Sequence, residues 1–120
     1  MPDERIPKFM AVTPVKPGRE ADFEAFVRDV IDPADQQARP HVSGTWRLLR
    51  PVGQPSEGAQ AAYVFLFYGD TWDDYDLEAL FREAYGEDTG AQRIQQFVDL
   101  LAGEQVGYEF DGEVTIGGTQ

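Results

Sequence analysis

The sequence predicts an α+β sandwich, one four-stranded antiparallel sheet backed by two helices. Three observations predict it. Along the 120 residues the apolar spacing switches between a period of two and a period of three to four, in the order strand, helix, strand, strand, helix, strand. Two of the four strand patterns are apolar on both alternating faces and the other two on one, the mark of two central and two edge strands. The length itself suits one sheet and two helices and leaves little over.

The first strand is Lys8 to Val15, with Phe9, Ala11, Thr13 and Val15 on one face and Met10 and Val12 on the other. Lys16-Pro17-Gly18-Arg19 breaks this pattern. Phe23, Phe26, Val27, Val30 and Ile31 then recur at helical spacing, opposite a polar face of Glu20, Asp22, Glu24, Arg28 and Asp29. Asp32-Pro33 is expected to end or kink that helix, because proline disfavours helical geometry in the residue before it. A second, half-exposed strand follows from Val42 to Arg50, where Val42, Trp46 and Leu48 alternate with Ser43, Thr45 and Arg47. Pro51 to Gln60, rich in glycine, proline and serine, reads as a long and flexible hairpin connection. The third strand, Ala61 to Tyr68, is apolar throughout. Leu77, Leu80, Phe81 and Ala84, then Ile94, Phe97, Val98 and Leu101, mark a second helix broken near Gly86. Its acidic lead-in, Asp70 to Asp76, suits a helix N-terminus. The last strand is Gln105 to Asp111, and Thr115 to Gln120 forms a loose tail, so residues 1–114 constitute one domain and 115–120 a flexible end.

This order is that of the split βαβ, or ferredoxin-like βαββαβ, sandwich, in which strands one and three are central. Two helices cover one sheet face. The apolar residues of the central strands on the other face call for a partner, and a second sheet packed face to face supplies it. Several large apolar side chains, each worth about 1.5–3 kcal/mol when buried, are otherwise left in water. A homodimer is the expectation. The opening Phe9-Met10-Ala11-Val12, the Pro17-Gly18-Arg19-Glu20 helix start and the strand polarity resemble the dimeric α/β-barrel superfamily, which includes small proteins of the antibiotic-biosynthesis monooxygenase type. The resemblance spans roughly residues 7–114 and implies sheet-to-sheet dimerisation into an α/β barrel. It also implies enzymes as different as cofactor-independent oxygenases of aromatic polyketides, haem-degrading enzymes, cyclases and isomerases, so it does not choose a reaction.

Composition narrows the partners. Ten Lys and Arg against 22 Asp and Glu leave a net charge of −12, a field that repels nucleic acid and anionic membranes. The chain has no cysteine, so a disulfide, thiolate metal site or thiol nucleophile is out of reach. The polar start Met1-Pro2-Asp3-Glu4-Arg5 leads straight into a strand, and a cytoplasmic protein is expected.

His41 is the one histidine, the side-chain type suited to acid–base work at physiological pH, so it is the candidate general acid or base, the alternative being a surface loop histidine. As a haem ligand it has no surrounding motif. Trp46, Tyr63, Trp72, Tyr85 and Tyr108 are the candidate walls for a flat aromatic ligand, with core or dimer-interface roles as the alternative for Tyr63 and Tyr108. Arg47 is expected to pair across strands with Glu109 or to hold an anionic group. The carboxylates Asp70, Asp73, Asp74, Asp76 and Glu78 lack the glycine and terminal glutamate of a calcium loop in register. Asp29, Asp32 and Asp35 recur every third residue without a histidine close in sequence, so no metal and no cofactor is expected. Two function classes fit. One is an enzyme of the cofactor-independent oxygenase or cyclase type, acting on an apolar, aromatic or polyketide-like metabolite between sheet and helices. The other is a non-catalytic homodimer that binds a small ligand or serves as an interaction protein.

Overall fold

The computed structural model describes residues 6–52 and 62–117. Four strands, β1 (Phe9–Thr13), β2 (Trp46–Leu49), β3 (Tyr63–Phe67) and β4 (Val106–Glu109), form one antiparallel sheet in the order β2-β3-β1-β4. The two strands apolar on both faces are central, and the two alternating ones are edges. Most of the Pro51–Gln60 connection, with Ala61, falls within residues 53–61, outside the described residues.

The register sorts the side chains. Phe9, Ala11 and Thr13 of β1, Tyr63, Phe65 and Phe67 of β3, and Trp46 and Leu48 of β2 point toward the helices. With Phe23, Phe26, Val27, Ile31, Leu80, Phe81, Phe97 and Leu100 they make the core. Met10, Val12, Val64 and Leu66 lie on the opposite face with Leu49, Val106 and Tyr108, and there Leu49, Val106 and Tyr108 are exposed. Arg47 shares that open face and sits over the Tyr68 ring, 5.7 Å from its centroid. The expected Arg47–Glu109 pair does not form, because β2 and β4 are the two opposite edges of the sheet, about three strand spacings apart.

The first helical region runs farther than its sequence pattern suggests. α1 (Glu20–Phe26) passes into a π-helical turn over Val27–Ile31 and then into α2 (Asp32–Ala38), so Pro33 sits inside a continuing helix instead of ending it. A proline ring in an α-helix clashes with the carbonyl four residues back. The wider turn relieves this: the Asp32 N–H bonds to the Val27 carbonyl, five residues back, and the π-turn is completed immediately before the proline. The second strand is correspondingly shorter than expected. Val42 turns into the protein, with its N–H on the Arg39 carbonyl at 2.8 Å, and Thr45 N–H closes a turn onto Val42 at 3.0 Å before β2 begins.

The second helical region breaks where the sequence places the break. α3 (Leu77–Tyr85) is capped by Asp76, whose Oδ1 accepts from the Ala79 N–H at 3.2 Å. Gly86, at φ +88°, takes a conformation open to glycine and reverses the chain into α4 (Glu87–Leu100). Among the described residues no helix is long and apolar enough to cross a membrane.

Candidate functional site

Between the sheet and the helices lies a cavity of about 230 Å³. Its floor is the sheet, through Ala11, Phe65, Phe67 and Trp46, and its helical wall is Ile31 and Asp35. A third side comes from the 3₁₀ turn Trp72–Tyr75 and the start of α3. The rings form a connected lining: Trp46 lies 5.9 Å from Phe65, Phe65 stacks with Phe67 at 5.8 Å, and Tyr75 and Trp72 lie 4.3 and 5.9 Å from Phe67. Both tryptophans of the chain therefore face one cavity.

Asp35 is the chemically distinctive group there. Only 3 % of it is exposed, and among the described residues it is the one charged side chain in the buried class. Its Oδ2 accepts from Trp46 Nε1–H at 2.8 Å. Burial pushes its pKa up to about 6, with the Trp46 hydrogen bond pulling the other way. A carboxyl poised there gives and takes protons near neutral pH.

Two hydrogen-bonded clusters hold the wall in place. The Gly69 N–H donates to Tyr75 Oη at 2.6 Å, and Tyr75 Oη lies 2.8 Å from Thr45 Oγ1, which reaches the Val42 carbonyl at 2.6 Å. Arg39, at the end of α2, forks onto Glu83 of α3 at 3.0 and 2.7 Å and donates to the carbonyls of Asp73 and Asp74 at 2.7 and 3.1 Å. One guanidinium thus ties two helices to the turn that carries Trp72. Trp72 lies against Phe9 at 4.6 Å and over Gly107 of β4, where an added Cβ would come within 3.1 Å of its ring. At the mouth, Gln105 Nε2 donates to the buried Thr13 Oγ1 at 2.9 Å.

The residues singled out from sequence are spread over the molecule. Trp46 and Trp72 meet at the cavity. His41 lies outside it on the surface, its side chain 70 % exposed and its Nε2 3.8 Å from Asp74 Oδ1. Tyr63 is buried at the far end of β3, its hydroxyl donating to Glu24 Oε2 at 2.5 Å, and Arg50 grips the same carboxylate at 2.7 and 2.6 Å. Those bonds hold Glu24 down at about 2, and burial and the Glu24 contact push Tyr63 up to about 12. Tyr85 packs on Phe81 and donates its hydroxyl to the Val30 carbonyl in the π-turn at 2.8 Å. Tyr108 stands on the open sheet face. Among the described residues no group of His, Asp and Glu is placed to hold a metal ion.

From sequence, Asp35 enters only as one of three spaced carboxylates weighed for a metal; its burial in the cavity wall was missed, and a signal for it existed. Asp35 falls four residues after Ile31 and eight after Val27, on the apolar stripe, provided the helix continues through Pro33. A carboxylate in register with core positions is the mark of a buried acid.

No family model matches the chain, and no curated protein matches it in sequence. Solved structures do share its fold. One is the Arabidopsis thaliana protein At3g17210, at 9 % identity and a TM-score of 0.53, covering 92 % of this chain and 98 % of that one. Another, from Bordetella bronchiseptica, is provisionally named an antibiotic biosynthesis monooxygenase. It superposes at a TM-score of 0.51 with 20 % identity, covering 89 % of this chain and 96 % of that one. At these identities the likeness is one of fold, and it agrees with the ferredoxin-like sandwich of the strand order.

Proposed function

We propose that the protein is a small-molecule enzyme whose acid–base group is Asp35, abstracting a proton next to a carbonyl of an apolar, aromatic metabolite held in the cavity. The observation that carries this is a lone buried carboxyl on an aromatic-lined wall, oriented by the Trp46 indole. In the ionised form, the carboxylate takes a proton from a carbon beside a ketone and leaves an enolate lying against Phe65, Phe67 and Trp72. That enolate either attacks a second carbonyl of the same molecule, as in a cyclase, or gives electrons to dioxygen, as in a cofactor-independent oxygenase. Both outcomes share the Asp35 step. His41, on the surface, has no part in it.

The probe is 2-tetralone, a bicyclic ketone of a size the cavity accommodates. In D2O, wild-type protein is expected to speed exchange of its benzylic α-protons over buffer, followed by NMR, and Asp35→Asn to lose this by about 10²–10⁴-fold, the usual worth of a positioned base. Equal exchange by wild type and Asp35→Asn would remove Asp35 from the chemistry. If 2-tetralone quenches the tryptophans yet never exchanges, the non-catalytic binding protein is the better description.

A second copy covering the open sheet face is part of the same proposal. Met10, Val12, Val64 and Leu66 form the centre of an apolar surface there, flanked by the exposed Leu49, Val106 and Tyr108.

A further inference from the structure

We infer that the substrate is an elongated, uncharged molecule, with its ring in the cavity between sheet and helices and an apolar tail along a groove beside it. This rests on the proposed cavity site and adds its substrate class. The groove, about 610 Å³, opens where α3 begins and runs along the C-terminal half of α4. It shares Tyr75, Asp76, Leu77 and Gln105 with the cavity, so the two spaces meet through a common wall. A molecule filling the cavity has this direction in which to grow.

The groove's chemistry selects the tail. One bank is Ile94, Phe97, Val98 and Leu101, on or just past α4, and Val98 is half exposed with no apolar cover of its own. The lining side chains that carry charge are Asp76, Glu78 and Glu104, all acidic, and among the described residues no Lys or Arg lines the groove. An alkyl or aryl tail gains by covering the apolar bank. A carboxylate, phosphate or nucleotide-bearing tail meets like charge, in a chain whose net charge is −12. A substrate still attached to a polyanionic group, such as a nucleotide thioester, is disfavoured there.

The test compares 2-tetralone, 6-hexyl-2-tetralone and 6-(5-carboxypentyl)-2-tetralone, with Kd read from tryptophan quenching. The hexyl compound is expected to bind at least tenfold more tightly than the parent, roughly what two buried methylenes supply, and the carboxylate-ended one to show none of this gain. Val98→Glu, an exposed position that leaves the fold intact, is expected to erase the hexyl advantage while leaving 2-tetralone binding and exchange unchanged. Binding of 2-tetralone with no gain from the hexyl group, or a gain that survives Val98→Glu, overturns the tail subsite and leaves the cavity proposal standing. Failure of both neutral ketones to bind overturns both.

Discussion

Replacing Asp35 by Asn is expected to make the protein more stable at neutral pH while disabling it. The folded state holds the carboxyl at a pKa of about 6, against an ordinary 3.8 in the unfolded chain. Between those values the folded protein keeps a proton that the unfolded chain has lost, so stability falls as pH rises through the window and the full penalty stands above pH 6. At about 1.4 kcal/mol per unit the shift corresponds to about 3 kcal/mol. Relaxation of the surrounding dipoles around a carboxyl in a half-open cavity reduces this to about 1–2 kcal/mol. Asparagine keeps an oxygen for the Trp46 N–H and never ionises. Urea unfolding of both proteins at pH 4, 5, 6, 7 and 8 should give nearly equal stabilities at pH 4 and a variant about 1–2 kcal/mol more stable at pH 7 and 8. A difference that stays constant from pH 4 to 8 would show that Asp35 does not titrate in that window, and the acid–base assignment would go with it.

Trp46→Phe removes the indole N–H that donates to Asp35 and with it a force favouring the carboxylate, so the pH–rate profile of 2-tetralone exchange should move to higher pH; a profile that stays in place refutes the coupling. Gly107→Val drives a side chain into the Trp72 ring and should weaken 2-tetralone binding several-fold with a shift in tryptophan emission, whereas unchanged emission would mean that Trp72 does not rest there. Glu24 sits at about 2, below its ordinary 4.5, so its contribution is present above pH 4.5 and is lost as pH falls toward 2; Glu24→Gln should flatten that acid limb in urea titrations. Leu66→Asp places a charge in the middle of the open sheet face, and on a sizing column it should convert a species of twice the chain mass into monomer or aggregate. Identical elution of the two proteins counts against a sheet-to-sheet dimer.

The sheet was legible because its signal is redundant. Phe9 to Thr13 and Tyr63 to Phe67 are apolar on both faces, which marks them as central, and this agrees independently with the order of elements that implies the ferredoxin-like topology. Trp46 and Trp72 were legible as cavity candidates for a similar reason, since each is a large ring set in a polar stretch. Asp35 was hidden by a local rule that tertiary structure overrode. Proline is a helix stop in an isolated chain, but the π-turn at Val27–Ile31 accommodates it and packing of Ile31 and Ala34 into the core holds the helix together beyond it. His41 illustrates the converse. That it is an imidazole can be read from the sequence, whereas its position, outside the cavity wall, depends on how residues 39–45 turn after α2.

The π-turn also decides which way the acid faces. An α-helix rotates by about 100° per residue, and a turn closed over five residues instead of four inserts one step into that count before α2 begins. Asp35 meets Trp46 with that extra residue taken up in the wide turn. Removing one residue from Val27–Ile31 would take out the wide turn and the extra residue together and leave Asp35 close to its present facing, whereas an added residue with no wide turn to absorb it would swing the carboxylate about 100° around the helix axis and off the Trp46 N–H.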